Sequence, residues 1–420
     1  MLTYRRSPHL VCYWKNGTFR FHNYATGKVS PASLIACEIL EFFQDWKPAA
    51  VFYAAQPTVD RATLRRTVAV MVKANLLQRS DASPSPEERA MAAMDRWNPE
   101  AGFFHSATKN VRFTTRQAAE RMLRQQAETW PMPSPIKSYP GARKVQLASP
   151  ARDGALGREL LERRTWRRFG KGTIPLRTFG DLLGLTAGIQ KWVIVPPHGR
   201  LALKTSPSGG ARHPIELYVL AWGIGGLPKG LYHYAPDRHQ LELIRSRLGS
   251  DRVPAYLPEG EYWSKACALV LFSAVYERNL WRYPYSRAYR APLIEAGHLC
   301  QTFLLLAGSR GLAPFSAMGM ADAAIERDLG IDGVTESILY VAGVGVRPKG
   351  TEWAPAPDGL TAPRTEPNPA FATPPAKLWR DKLVGSAQIR ADPRPARDPC
   401  DPRRSASRGD PCRSAYTKGG

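Results

Sequence analysis

Ser206-Pro207-Ser208-Gly209-Gly210-Ala211-Arg212-His213-Pro214 runs directly into Ile215-Glu216-Leu217-Tyr218-Val219-Leu220, and this junction decides how the chain is read. The second half is apolar and β-prone, which predicts a strand. The first half is small, glycine-rich and hydroxyl-bearing. Such a backbone can press close to a flat ring and aim N–H groups at the ring's edge. His213 adds a group able to exchange a proton near neutral pH. A Gly/Ser/Pro loop alone is equally an ordinary connection, so the flanking sequence carries the reading.

Downstream, Gly230–Tyr234 and Leu241–Ile244 predict a strand pair across a turn. Ala268-Leu269-Val270-Leu271-Phe272 is a continuous apolar run of the buried-strand kind, and Ser337–Val344 is a final strand. Pro292–Arg310 is the clearest helix, with Pro292 suited to a first turn and Gly311 to a C-terminal stop. Leu293, Ala296, Cys300, Phe303 and Ala307 form its expected apolar stripe, with Glu295, Gly297, His298 and Gln301 on the flanking faces. Upstream, Leu176–Leu185 predicts a helix and Gly157–Arg168 a helix with its exit. Helices and strands therefore alternate from about residue 156 to residue 347, without an internal repeat.

Arg163-Arg164-Thr165-Trp166-Arg167-Arg168-Phe169 is the second chemically loaded stretch. A phosphate ester needs cationic forks and hydroxyl or backbone donors, and arginine supplies the forks bidentately. On a helix exit Arg163 and Arg167 would share one face; the same run also reads as a solvated basic helix end. Ala317-Met318-Gly319-Met320 and Val341-Ala342-Gly343-Val344-Gly345-Val346-Arg347 set glycines beside apolar residues, suiting contact with a ring face or a phosphate. The latter is no dinucleotide fingerprint, because the six-residue glycine frame and its following helix are missing.

The N-terminal segment reads as a small mixed module. His9–Trp14 and Phe19–Tyr24 are strand candidates joined by Asn16-Gly17, a hairpin turn signal. Ser33 suits the N-cap of one helix and a second starts from Asp60. This order suggests a winged-helix-like domain over 1–82, followed by a linker and helical connector over 83–150 that contains Trp97 and Phe103-Phe104-His105. The principal domain then spans 151–348, and 349–420 is a Pro/Arg/Asp-rich tail too poor in apolar residues to fold.

Bulk properties bound the function classes. The 420 residues carry a formal charge of +23, with basic residues spread along the chain rather than gathered into one groove. That field favours anionic ligands, acidic peptides, nucleic acid or anionic membranes, but with the basic residues so spread neither a nucleic-acid nor a membrane partner is expected. The six cysteines show no metal-ligand spacing, so reduced thiols, no metal and a cytoplasmic location are expected. No apolar run nears the roughly 20 residues a bilayer-spanning helix needs.

Taken jointly, Arg163–Phe169, Ser206–Val219, Gly230–Tyr234, Arg287–Gln301 and Val341–Arg347 resemble the SagB-type, thiazole/oxazole-forming dehydrogenases of the FMN-dependent nitroreductase superfamily. The resemblance spans the whole principal domain. It implies an α+β fold with a central, mostly antiparallel sheet flanked by helices, and a homodimer with FMN at the subunit interface. It assigns the FMN phosphate and ribityl chain to Arg163, Arg164, Thr165 and Arg167, with Gly343, Gly345 and Arg347 closing the phosphate site. Pro207, Ser208 and Gly209 would approach the ring system from the partner subunit, and Gly319 would underlie it.

The same resemblance makes the N-terminal module a peptide clamp that grips a leader by strand addition. The expected substrate is a ribosomally made, modified peptide whose azoline rings are dehydrogenated to azoles, with a cyclodehydratase as a possible partner. Tyr283, Tyr285 and His213 are the candidate proton-handling residues. Three positions depart from the family pattern: Thr165 stands where Ser is common, Thr302 where Asn is common, and Arg282 where azoline-active members carry Lys before Tyr. Arginine stays protonated and is a poor base. The other readings are a generic NAD(P)H-dependent nitro or quinone reductase, and a DNA-binding winged helix fused to a degenerate flavin domain.

Overall fold

Thr3–Arg6 (β1) is a strand that nothing local announces, because its partners lie more than 40 residues further along the chain. It belongs to a computed structural model that describes residues 2–94, 96–111, 113–129, 133–137, 140–147, 154–196 and 199–350. The expected tail therefore lies outside the described residues. One unit comprises 1–143 with 151–364; of the other, 144–150 with 365–420, only Lys144–Leu147 are described, without helix or strand.

Leu10–Lys15 (β2) and Thr18–Asn23 (β3) pair across Asn16 and Gly17, both at the positive φ that this tight turn requires. Lys28–Pro31 (β4) completes a meander. Leu34–Phe42 (α1) starts where the Ser33 hydroxyl accepts from the Ala36 N–H at 3.2 Å. Lys47–Pro48 (β5), Ala49–Ala54 (α2), Arg61–Lys73 (α3) and Leu77–Arg79 (β6) follow, and β5 and β6 flank β1 in a second antiparallel sheet. The Asp60 carboxylate caps α3 by accepting from the Ala62 and Thr63 N–H groups. Phe21, Ile39, Phe43, Phe52, Leu64 and Val68 share one core between sheet and helices.

Pro86–Ala92 (α4) opens with a complete Ser85/Glu88 capping box, and Pro99–Thr108 (α5) and Arg116–Thr129 (α6) continue the connector. Here the aromatic residues find partners. Trp97 packs edge-on to Tyr276 and Tyr289, at 5.0 and 5.3 Å between centroids, while Phe103 meets Tyr13 and His22 of the meander. The helix α5 thus touches both the N-terminal meander and the principal domain.

That domain begins with Ala155–Glu162 (α7). Helical structure stops at Glu162 and Arg163–Gly170 forms neither helix nor strand, so no helical turn sets Arg163 and Arg167 on one face as expected. Ile174–Pro175 (β7) and Leu176–Ala187 (α8) precede an antiparallel hairpin of Lys191–Val195 (β8) and Gly199–Leu203 (β9). Then come Ile215–Ala221 (β10), Ile224–Gly225 (β11), Gly230–Ala235 (β12), Gln240–Ser246 (β13), Val253–Tyr256 (α9), Ala268–Val275 (β14) and Glu277–Leu280 (α10). Arg290–Ser309 (α11), Leu312–Ala317 (β15), Asp322–Leu329 (α12) and Glu336–Val346 (β16) close the domain.

The central sheet has the order β13-β12-β10-β14-β16-β15 and every neighbouring pair is antiparallel, an α+β architecture. Alternate residues of the apolar strands enter opposite cores. Leu217, Val219, Val270 and Phe272 face α8 and α11, while Leu220, Leu269 and Leu271 face α9, Trp263 and α12. Both sides are covered, which is why β14 reads as uninterrupted apolar sequence.

The helix α11 starts two residues before the expected Pro292, which still falls in the first turn, where its missing N–H costs nothing. Ala296, Cys300, Phe303 and Ala307 of the expected stripe are buried and Leu293 is exposed, while the buried face also takes in Pro292, Leu299 and Glu295. Among the described residues no helix is long and apolar enough to cross a membrane, and no cluster of three or more His, Cys, Asp or Glu side chains is arranged to hold a metal.

Candidate functional site

The glycine loop adopts a conformation that most residues avoid. Gly210 has φ 64°, Ala211 52° and His213 45°, all in the left-handed region. For a residue with a side chain this costs roughly 1–2 kcal/mol, so neighbours must over-determine the shape. They do so from several elements. Within the loop, the Ser208 hydroxyl accepts from the His213 N–H at 2.8 Å. From β9, the Ala202 carbonyl faces His213 Nε2 at 2.9 Å. From α10, Arg278 donates to the His213 carbonyl at 2.9 Å and pairs with Glu216, which also binds His233 at 2.8 Å. Arg212 returns a hydrogen bond to the Arg278 carbonyl at 3.1 Å.

His213 is therefore a structural participant in the loop. A carbonyl can only accept, so Nε2 carries the proton. Burial lowers the imidazole pKa, ahead of the opposing effect of the Ala202 carbonyl, and favours the neutral ring.

Three further side chains flank the loop where it is barest. The Gly209 N–H donates to Glu295 Oε1 of α11 at 3.0 Å. A methyl group on Gly210 would stand 2.6 Å from Arg282 Cδ and 2.9 Å from the Tyr283 hydroxyl; one on Gly209 would meet Tyr283 at 3.9 Å and Glu295 at 3.8 Å. The glycines are what lets Arg282 and Tyr283 come this close. Tyr285 lies further out, half exposed, its ring centroid 6.2 Å from that of Tyr283.

Glu295 is only 6% exposed, and burial raises its carboxyl pKa against the counteracting Gly209 N–H and Ser208 hydroxyl. Lys204, just before the loop, is likewise lowered by burial, with Glu216 and Glu295 acting in the opposite direction. Sequence reading missed Lys204 entirely and put Glu295 on the wrong face. The available signal was the acid itself, set in an otherwise apolar helical stripe.

The arginine run is held differently. Trp166 N–H donates to the Pro314 carbonyl and Gly170 N–H to the Val346 carbonyl, at 2.9 and 2.8 Å, so the run lies along β15 and the end of β16. Trp166 is buried, with the Arg347 guanidinium 5.0 Å from its ring centroid. Arg163, Thr165 and Arg167 are half-buried, while Arg164 is exposed. Arg347 donates to the Leu312 carbonyl at 3.1 Å.

Gly343 and Gly345 both point inward. Methyl groups there would run into the rings of Phe315 and Phe169. They thus let aromatic side chains close under the run. Gly319 faces Phe113 of the connector, 3.9 Å from where a methyl would stand, and Pro207 is exposed.

The two stretches meet the same helix. Arg163 is within electrostatic reach of Cys300, whose thiol is pushed up to about 12 chiefly by burial, and Ser206 is 3.3 Å from the Thr302 hydroxyl. Cys300 and Glu295 are separated by five positions of α11, roughly 8 Å along its axis at about 1.5 Å per residue. Arg163 of the run and Ser206 of the loop therefore attach to neighbouring turns of α11.

This antiparallel α+β domain thus brings an arginine run and a glycine loop to one helix. Residues 160–346 match the Nitroreductase family, and the chain carries a nitroreductase-family domain. Similarity extends to a protein named as a nitroreductase in Methanocaldococcus jannaschii, 29% identical over 41% of this chain and 82% of that protein. It also extends to the trifolitoxin-processing protein TfxB of Rhizobium leguminosarum bv. trifolii, 31% identical over 38% of this chain and 43% of that one. The microcin B17-processing protein McbC of Escherichia coli is 29% identical over 32% of this chain and 51% of its own length. The chain thus spans about half the length of these last two relatives.

Proposed function

We propose that this protein is an FMN-dependent dehydrogenase that oxidises azoline rings to azoles in a ribosomally made peptide. The observation that carries the reading is the glycine loop with Tyr283 and Glu295 both packed beside Gly209 in a nitroreductase-family domain. The processing of trifolitoxin and of microcin B17 for which two relatives are named favours this substrate over small nitro compounds or quinones.

The donor set suits FMN. Arg163, Arg164, Thr165 and Arg167 offer guanidinium forks and a hydroxyl to a phosphate, with Arg347 beside them. Pro207, Ser208 and Gly209 offer a thin backbone edge to the ring system, and Gly319 a surface without a side chain. In the proposed site Gly343 and Gly345 act by letting Phe315 and Phe169 close beneath the phosphate side.

FMN, when bound, supplies the hydride acceptor. Aromatisation of an azoline also releases a proton, and the chain must take it. Tyr283 in its phenolate form is the proposed acceptor, its oxygen beside Gly210; Arg282 cannot serve because its guanidinium stays protonated. His213 shapes the loop through Ala202, and Tyr285 lines the approach to Tyr283.

The exposed stripe Leu293, Ile294, Gly297, His298 and Gln301 on α11 supports a homodimer. Residues 1–82, a winged-helix-like module with the short edge strand β6, are proposed to grip the leader by strand addition, with 83–150 as connector and 151–348 as catalytic domain. A groove of about 640 Å³ beside β6, walled by Trp46, Arg5 and Arg79, could take such a segment. A cyclodehydratase that makes the azoline is the corresponding partner.

The purified chain should be yellow, release FMN on denaturation, and convert an azoline peptide with consumption of dioxygen. Combined Arg163→Glu and Arg167→Glu substitutions should weaken FMN binding at least a hundredfold, about 2.7 kcal/mol for two lost charge-assisted contacts. A colourless protein indifferent to FMN would end the proposal. Rapid NAD(P)H oxidation with nitroaromatics, and none with the peptide, would favour a general reductase.

A further inference from the structure

Glu295 occupies a position where its helix otherwise buries Pro292, Ala296 and Leu299, and an acid there is costly to keep. What it contacts is the loop. Oε1 accepts the Gly209 N–H at 3.0 Å, and the Ser208 hydroxyl also engages the carboxyl. The Tyr283 ring lies beside it, since a methyl group on Gly209 would meet Tyr283 at 3.9 Å and Glu295 at 3.8 Å.

Building on the proposed flavin site, we propose that Glu295 is the positioning residue of the glycine loop, its carboxylate latching Ser208–Gly210 into the shape that meets the flavin and seats Tyr283. An ionised carboxylate can accept from the N–H and the hydroxyl together, in bonds strengthened by its charge. A protonated one loses that charge and turns one oxygen into a donor.

The groups that face this carboxyl are Lys204 at the end of β9, His298 on the next turn of α11, and Tyr283 with Arg282 across the loop. Burial lifts its pKa above the usual glutamate range, so the latch opens at a higher pH than an exposed acid would allow. The loop is held above that pKa and released below it.

Two measurements on the full chain test this. In the apo-protein, hydrogen exchange at the Gly209 amide, corrected for intrinsic rate, reports the latch directly. FMN titration, followed by flavin fluorescence from neutral to acid pH, reports its consequence. Glu295→Ala should speed Gly209 exchange and weaken FMN binding, each about tenfold.

Glu295→Gln keeps an acceptor oxygen, so it should restore Gly209 protection yet abolish the acid fall in FMN affinity. His298→Gln should leave that acid fall in place. The proposal is overturned if Glu295→Ala exchanges and binds as wild type, or if Glu295→Gln retains the acid fall. Should Glu295→Ala fail to fold, the Gln variant and Ser208→Ala, which removes the second donor to the carboxyl, still decide. A wild-type chain that binds no flavin would sink the functional reading alone, because the exchange arm judges the latch without it.

Discussion

Glu295 and Glu326 are equally buried, at 6% exposure, and burial raises both carboxyl pKa values, yet their surroundings differ. Glu326, on α12, has Lys109 Nζ 2.7 and 2.8 Å from its two oxygens and accepts the Ile338 N–H at 3.2 Å. Lys109 also donates to the Gly333 carbonyl. Next to it, Asn110 exchanges hydrogen bonds of 3.0 Å with Asp322 and Ala323 at the start of α12. This clasp fastens the connector to the principal domain, and its ion pair is compensated on the spot. Glu295 faces a glycine amide and a serine hydroxyl, with Lys204 and His298 acting through space. One buried acid therefore supports the fold and the other supports a loop, a distinction that burial alone does not reveal.

The largest expected effect comes from cutting the clasp. Lys109→Met should destabilise the chain by roughly 3–5 kcal/mol, because it strands a buried carboxylate, while FMN affinity measured on the folded fraction stays near wild type. Adding Glu326→Gln should recover most of that loss in denaturant unfolding. If Lys109→Met instead costs FMN affinity and little stability, the two acids have been assigned the wrong way round.

Acid should weaken the same clasp. His105 bridges the Gly333 carbonyl at 2.7 Å and the Tyr289 hydroxyl at 3.0 Å, and burial above all lowers its pKa from 6.5 to about 4. The unfolded chain then takes up a proton that the folded chain refuses. Stability attributable to this group is complete above the unfolded value of 6.5 and falls as pH drops toward about 4. The total is on the order of 3 kcal/mol at 1.36 kcal/mol per pH unit. Unfolding midpoints that stay level across this window would show that His105 is not the titrating group.

How far these contrasts were readable beforehand depends on contact distance. The helix α11 was legible because proline and glycine punctuate it, as were α1 and α3 from Ser33 and Asp60. The apolar strands β10, β12, β14 and β16 were legible from composition. The strand β1 was not, since Thr3–Arg6 becomes a strand only by pairing with Lys47–Pro48 and Leu77–Arg79. The loop and the arginine run stood out by residue type. Their supports did not: Glu295 meets Gly209 across 86 positions, and its burial comes from a buried face of α11 wider than the expected stripe. Trp97 and Phe103 announced that they pack, but their partners come from distant segments.

The smallest stability effect tests the loop side of the comparison. Gly210→Ala must hold alanine at φ 64°, which costs roughly 1–2 kcal/mol. The added methyl meets Arg282 Cδ at 2.6 Å and the Tyr283 hydroxyl at 2.9 Å, both near the ends of side chains that can swing aside. The fold should therefore survive with a modest fall in unfolding free energy, while turnover of the azoline peptide drops at least tenfold because Tyr283 is displaced. Gly297 on α11 provides the control: nothing lies within 4 Å of an added methyl, and its helical position gains about 1 kcal/mol from alanine. Gly297→Ala should be as stable as wild type or slightly more so, with the loop undisturbed. A dimer weakened by this substitution would indicate a partner backbone approaching at Gly297. Equal activity of the Gly210→Ala and Gly297→Ala chains would mean that crowding at Tyr283 does not matter, and the loop would lose its claim to a catalytic geometry.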